Sequence, residues 1–92
     1  FTHIRDVVRA NLAAIDAPAA DGRALNIGRG QGLSVNDIAG FVGGPVIHIA
    51  GRPGDARDTL ADLTAAREAL GWTPEVETEA GVRELLRQAG CA

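Results

Sequence analysis

The sequence predicts an α/β fold with a small, largely parallel sheet and about four helices. Two short runs, Ala24-Leu25-Asn26-Ile27 and Val46-Ile47-His48-Ile49, are apolar, the second β-branched, and each is bounded by turn residues. They alternate with segments of helical period in the order helix, strand, helix, strand, helix, helix. A right-handed crossover through a helix at 34–43 would lay the two strands parallel. Two strands make a poor sheet, so more packing surface is expected from outside these 92 residues.

Ile4, Val7, Val8, Leu12 and Ile15 recur at helical spacing, which predicts an amphipathic helix over about 4–16 with Arg5, Arg9 and Asp16 outside. Pro18 and Asp21-Gly22 end it. Gly28, Gly30 and Gly32 form a turn after the first strand run, and Ser34 is a good N-cap for a helix carrying Val35, Ile38, Ala39 and Val42. Gly43-Gly44-Pro45 stops that helix. Asp62 can cap a helix over about 63–70 with Leu63, Ala66 and Leu70 inward, and Gly71 offers a left-handed stop. Thr78 precedes Val82, Leu85, Leu86 and Ala89, whose spacing marks a last helix, weakened in its first turn by Gly81.

Composition narrows the function. A net charge of −3 with interspersed signs, and three aromatic residues in all, give neither the basic patch nor the stacking platforms of a nucleic-acid binder. No apolar run approaches the roughly 20 residues that a bilayer span needs. The single cysteine, Cys91, cannot form an internal bridge, and no charged leader with an apolar core opens the chain, so the cytoplasm is the expected compartment.

The segment Gly51–Pro74, GRPGDARDTLADLTAAREALGWTP, carries the strongest functional pattern. Arg52 and Asp55 flank a Pro-Gly turn, so a planar guanidinium and a carboxylate acceptor could face one ligand, such as a phosphate with a neighbouring hydroxyl. The plainer alternative is a surface ion pair worth about 0–1 kcal/mol. This is a pattern for binding, and no residue is assigned a catalytic or metal-ligating role.

RPGDxRxxxAD followed by AxxxLGWTP resembles the C-terminal region of the NAD-dependent epimerase/dehydratase family, the extended short-chain dehydrogenases that include UDP-glucose 4-epimerases. FTHIRDVVRANLAAIDAP resembles the family's post-strand helix, and ALNIGRGQGLSVNDIA its Asn-x-Gly strand and following helix. The resemblance implies that the chain is a single C-terminal, substrate-binding segment of 1–92, a fragment of the family's C-terminal region, whose N-terminal NAD-binding Rossmann domain is absent. It also implies that Arg52 meets the diphosphate of a UDP- or TDP-linked sugar and that Asp55 bonds the ribose or fixes the arginine. A second phosphate-binding arginine of the family falls just before Phe1. The family's Tyr-x-x-x-Lys dyad cannot be built here, because the chain has no tyrosine and all nine of its basic residues are arginine. NAD is therefore expected in the parent enzyme and not on this chain. The start at Phe1, inside the family's Arg-Asp-aromatic run, reads as a piece of a longer enzyme.

Other candidates are weaker. In Gly28-Arg29-Gly30-Gln31-Gly32-Leu33 the third glycine of a dinucleotide fingerprint falls on Leu33, and no acid follows the second strand run at Ile49-Ala50-Gly51. A plain tight turn competes with cofactor binding there, and an independent phosphate site on the same turn stands as a further alternative. His3 and His48 lack partners at metal or nucleophile spacing. Arg57 and Asp58 are expected to be solvated or locally paired, Trp72 to be a packing anchor, and Cys91 an exposed thiol without a role. The functional expectation is thus a nucleotide-sugar-binding part of an epimerase or dehydratase, not catalytic alone. The rival is a structural or self-associating fragment without a ligand, and a homo-oligomer is compatible with both.

Overall fold

The computed structural model describes residues 1–56 and 58–90. Among the described residues there are four helices, α1 (Ile4–Ile15), α2 (Val35–Val42), α3 (Thr64–Leu70) and α4 (Thr78–Gln88), and one 3-10 turn at Pro18–Ala20. Among the described residues there is no strand, so the expected parallel sheet is not formed and the fold is all-helical rather than α/β. The reason is the want of a neighbour. Val46, Ile47 and Ile49 are exposed to 54, 84 and 81%, within a stretch from Val42 to Leu60 in which every described residue is exposed. A β-branched run acquires strand structure through ladder partners and same-face packing, and this one has neither. Ala24–Ile27 does approach the interior, with Ile27 against the core, but no second extended segment pairs with it.

Local chemistry explains the helix ends. His3 caps α1, its Nδ1 accepting from the Arg5 amide at 3.0 Å. Ser34 and Asp37 form a reciprocal capping box at α2: Ser34 Oγ accepts from the Asp37 amide and the Asp37 carboxylate from the Ser34 amide, each at 3.0 Å. Asp62 acts one residue earlier than a formal cap, accepting from the Thr64 amide at 3.0 Å and the Thr64 hydroxyl at 2.8 Å. The Thr64 amide, then its hydroxyl, hold the Asp62 carboxyl below its ordinary range. Gly71, at φ 64°, ends α3 in the left-handed conformation and returns its N–H to Arg67 O at 2.9 Å.

The core is small: Ala10, Leu63, Ala66 and Trp72 are buried, with Ile27, Ala61 and Leu70 packed around them. A radius of gyration of 15.8 Å and extents of 47 × 34 × 16 Å describe a flat body. A compact chain of this length would have a radius of about 12 Å. Helix α2 lies on α4, α3 on the 3-10 turn, and α1 on α3.

What holds the flat body together is a buried carboxylate. Asp6 on α1 is fully inaccessible and accepts from the amides of Glu75 and Val76 at 3.0 and 3.1 Å and from the Arg9 guanidinium at 3.2 Å. Its backbone carbonyl accepts the Trp72 indole N–H at 3.0 Å. Arg9 continues the clamp to Thr73 O at 3.2 Å and the Glu75 carboxylate at 3.0 Å. Burial pushes the Asp6 carboxyl up, but the two amides and Arg9 together hold it below its ordinary value.

This clamp turns α1 over relative to the sequence expectation. Asp6 and Ala10 face inward, while Ile4, Val8, Leu12 and Ile15 are 65, 47, 61 and 76% exposed. The amphipathic period was legible, but the row of large apolar residues points outward, because the face with buried partners is the one that carries Asp6 and Ala10 beside the half-buried Val7 and Ala13.

Candidate functional site

Arg52 and Asp55 lie together in one exposed turn. The Asp55 amide donates to Arg52 O at 3.2 Å, closing a four-residue turn with Pro53 and Gly54 at its corner, and Gly54 takes φ 86°. Proline before a residue of positive φ is the signature of a type II turn. Asp55 Oδ2 accepts from the Arg52 amide at 3.2 Å and lies 3.6 Å from Arg52 Nε. The side chains are 81 and 53% exposed. These contacts use one edge of the guanidinium and one carboxylate oxygen, leaving the terminal nitrogens of Arg52 facing water. A planar fork with its terminal nitrogens open can take two oxygens of a phosphate. The pair itself, solvated on both sides, is worth little to stability and opposes ligand entry weakly.

A cleft of ≈ 580 Å³ adjoins this stretch and is lined by Gln31–Val35, Ala56, Asp58 and Thr59, with Phe1 at its edge. Arg52 and Asp55 are not in its wall. Arg57 and Cys91 lie outside the described residues.

The glycine turn at 28–32 is occupied by packing. A Cβ on Gly28 would come within 3.0 Å of Ala61 Cβ, and one on Gly30, at φ 72°, within 2.8 Å of Leu63 Cδ1. These glycines let the chain lie against residues 61–63. The next helix starts only at Val35, and its first amides are capped by Ser34 beside the Asp37 carboxylate, which would repel a pyrophosphate. The residues here do not fit a dinucleotide.

The histidines also have plain surroundings. His3 packs on Gly81 of α4, where an added Cβ would meet its Cδ2 at 2.9 Å, and its Nε2 lies 3.7 Å from Glu84, which also pairs with Arg5. His48 is exposed on the unpaired run. Among the described residues no group of three or more His, Cys, Asp or Glu is arranged to hold a metal. Trp72 anchors the core. Sequence reasoning did not find the structural roles of Asp6 or of the Arg29–Glu77 ion pair at 2.6 Å, since both join residues far apart in the chain.

Comparison with known proteins adds to this geometry. Over 97 aligned positions the chain is 30% identical to a UDP-glucose 4-epimerase of Rhizobium leguminosarum bv. trifolii, covering 97% of this chain and 28% of that protein. It is 38% identical to a UDP-glucose 4-epimerase of Mycolicibacterium smegmatis, covering 94% of this chain and 29% of the other. This chain is a relative of the NAD-dependent epimerase/dehydratase family. A dTDP-L-rhamnose 4-epimerase of Burkholderia thailandensis extends the epimerase/dehydratase likeness beyond UDP-glucose enzymes, at 32% identity over 92% of this chain and 25% of that protein. The chain thus spans little more than a quarter of the length of these curated relatives. No family model matches it, and no solved structure does. Among the described residues no helix is long and apolar enough to cross a membrane.

Proposed function

We propose that this chain is the nucleotide-sugar-binding, C-terminal part of a longer cytoplasmic sugar-nucleotide epimerase or dehydratase, an isomerase or lyase that uses NAD held elsewhere in the parent. The observation that carries the reading is the RPGD turn: within a chain related to epimerases over nearly its whole length, Arg52 and Asp55 stand side by side with the arginine fork open. Arg52 binds the diphosphate. Asp55 holds Arg52 at its Nε edge and backbone and offers its second oxygen to a ribose hydroxyl. Binding the part of the substrate that does not react orients the sugar, which turns remote binding energy into reactive geometry. Chemistry belongs to residues that these 92 do not include.

The test is titration with UDP, followed by phosphorus or proton chemical shifts. Weak, saturable binding is expected, because one arginine does the work of a fuller site. A charge-assisted hydrogen bond is worth roughly 1.5–3 kcal/mol, so Arg52→Ala should weaken binding about tenfold or more. Arg52→Lys should recover only part, since a point charge does not reproduce a planar two-pronged contact. Arg87→Ala, on α4, serves as control. Equal affinity in wild type and Arg52→Ala would overturn the reading.

A further inference from the structure

His3 stands where α1 begins against α4. Its side chain is 9% exposed, its ring lies on Gly81, and its carbonyl accepts from the amides of Asp6 and Val7 at 3.0 and 3.3 Å. At Nδ1 it accepts the Arg5 amide at 3.0 Å and so caps α1. An acceptor at Nδ1 is a ring nitrogen without a proton, so the neutral ring carries its hydrogen at Nε2, 3.7 Å from Glu84 Oε2. A second proton can therefore land only at Nδ1. There it sets N–H against N–H, removes the cap acceptor and puts a positive charge at the positive end of α1. The surrounding charges do not undo this. Glu84 attracts an imidazolium, but it faces Nε2, which already carries its hydrogen, and it is also bonded by the Arg5 guanidinium, a second cation beside the ring. Asp6 is engaged by the amides of Glu75 and Val76 and by Arg9. On α4, Glu77 pairs with Arg29 and Glu79 with Arg83; on α2, whose Ile38 lines the same small cavity as His3, Asp37 closes its own capping box. The amine of Phe1 in this chain is a further positive group two residues back.

We propose that His3 is a proton-operated latch on the first turn of α1. Neutral, its Nδ1 closes the turn; protonated, the ring gives up the Arg5 amide and the turn loosens. Asp6 sits in that turn, so the release passes to the joint that its carbonyl and carboxylate make with Trp72, Glu75 and Val76. Histidine is the side chain that takes up a proton closest to neutrality, which suits it to such a device. The ligand reading of Arg52 is independent of this latch.

Nuclear magnetic resonance of the whole chain along an acid titration reads both halves of the latch in one sample. The carbon-bound ring protons report the charge on His3, and the Arg5 amide proton reports its bond to Nδ1. The Arg5 amide resonance should move upfield in step with the His3 ring. With the ring charged, the Trp72 indole N–H should exchange about fivefold faster than in His3→Asn at the same pH, the size of effect that loss of an N-cap brings. Asparagine caps without titrating, so in His3→Asn the Arg5 amide should hold its position. His48→Asn, which removes the exposed imidazole, should titrate as the wild type does. An Arg5 amide that stays bonded while the ring is charged overturns the proposal, as does a ring that remains neutral until the chain unfolds. So do unchanged Trp72 exchange, the same Arg5 shift in His3→Asn, and a titration abolished by His48→Asn. The first two outcomes are read in the wild type alone, so a His3→Asn chain that fails to fold leaves the test standing.

Discussion

Replacing Asp6 by alanine should do more damage than any single change in the visible core. The substitution strips an acceptor from the part-buried amides of Glu75 and Val76 and one contact from Arg9. Arg9 is 36% exposed and keeps Thr73 O and Glu75, so it can be solvated and contributes little to the loss. The two amides dominate, at about 1–2 kcal/mol for each donor left unsatisfied, the lower part of the range because both are part-buried, or about 2–4 kcal/mol together. Alanine returns about 0.5–0.7 kcal/mol through better helix propensity, too little to offset this. A domain of 92 residues has a total stability of about 5–14 kcal/mol, and a flat body with four buried apolar residues belongs near the lower end. Asp6→Ala should therefore unfold largely or move the denaturant midpoint far down, and Asp6→Asn, which retains one acceptor, should lose about half as much. The assay is built in: Trp72 is the only tryptophan, is buried, and donates to Asp6 O, so its fluorescence follows the clamp. A change under about 0.5 kcal/mol for Asp6→Ala, the range of neutral surface substitutions, would refute the reasoning.

Two more predictions follow from the same contacts. The Asp6 carboxyl titrates below its ordinary value in the folded chain, so its stabilisation is complete above the unfolded carboxyl's range, near pH 3.9, and is lost as pH falls through the depressed folded value; acid unfolding curves should be steeper there in wild type than in Asp6→Asn. Gly81→Ala should not give the roughly 1 kcal/mol of stabilisation that helix propensity alone would supply in thermal unfolding, because the new Cβ would stand 2.9 Å from His3 Cδ2 and push the ring off its cap on Arg5, a loss of about the same size. A more stable Gly81→Ala would show that the ring moves aside freely.

Much of the helical skeleton was legible. Ser34 and Gly71 marked the ends of α2 and α3 because capping and left-handed stops are local chemistry, decided within four residues. Period also located α1 and α4 to within a residue or two. What local pattern could not give was the direction a face points. On α1 the apolar residues were expected inward, yet the side with Asp6 and Ala10 is buried, since Asp6 has amide partners sixty-nine and seventy residues away. The sheet failed for a related reason: a strand is a property of a pair, and Val46–Ile49 has no neighbour. At the candidate site the sequence set Arg52 and Asp55 around a Pro-Gly turn, and their proximity needs only that turn. The glycine turn at 28–32 was ambiguous until its neighbours at 61–63 were known.

The separation between clamp and turn matters for how the binding test is read. Stability resides in α1, the segment from Trp72 to Val76 and the small core, whereas among the described residues Arg52 pairs with Asp55 of its own turn. Removing an exposed pair worth about 0–1 kcal/mol should leave the unfolding curve of Arg52→Ala close to wild type. Arg52 and the Asp6 clamp share no partner among the described residues, so loss of UDP binding in an Arg52→Ala chain whose unfolding curve is unchanged is not a disguised loss of fold. The converse holds for Asp6. Asp6→Asn should lower stability while the fraction that remains folded binds UDP as wild type does. A variant at position 6 whose folded fraction binds more weakly would mean that the clamp reaches the turn, and the Arg52 result would then have to be read as part of one cooperative unit.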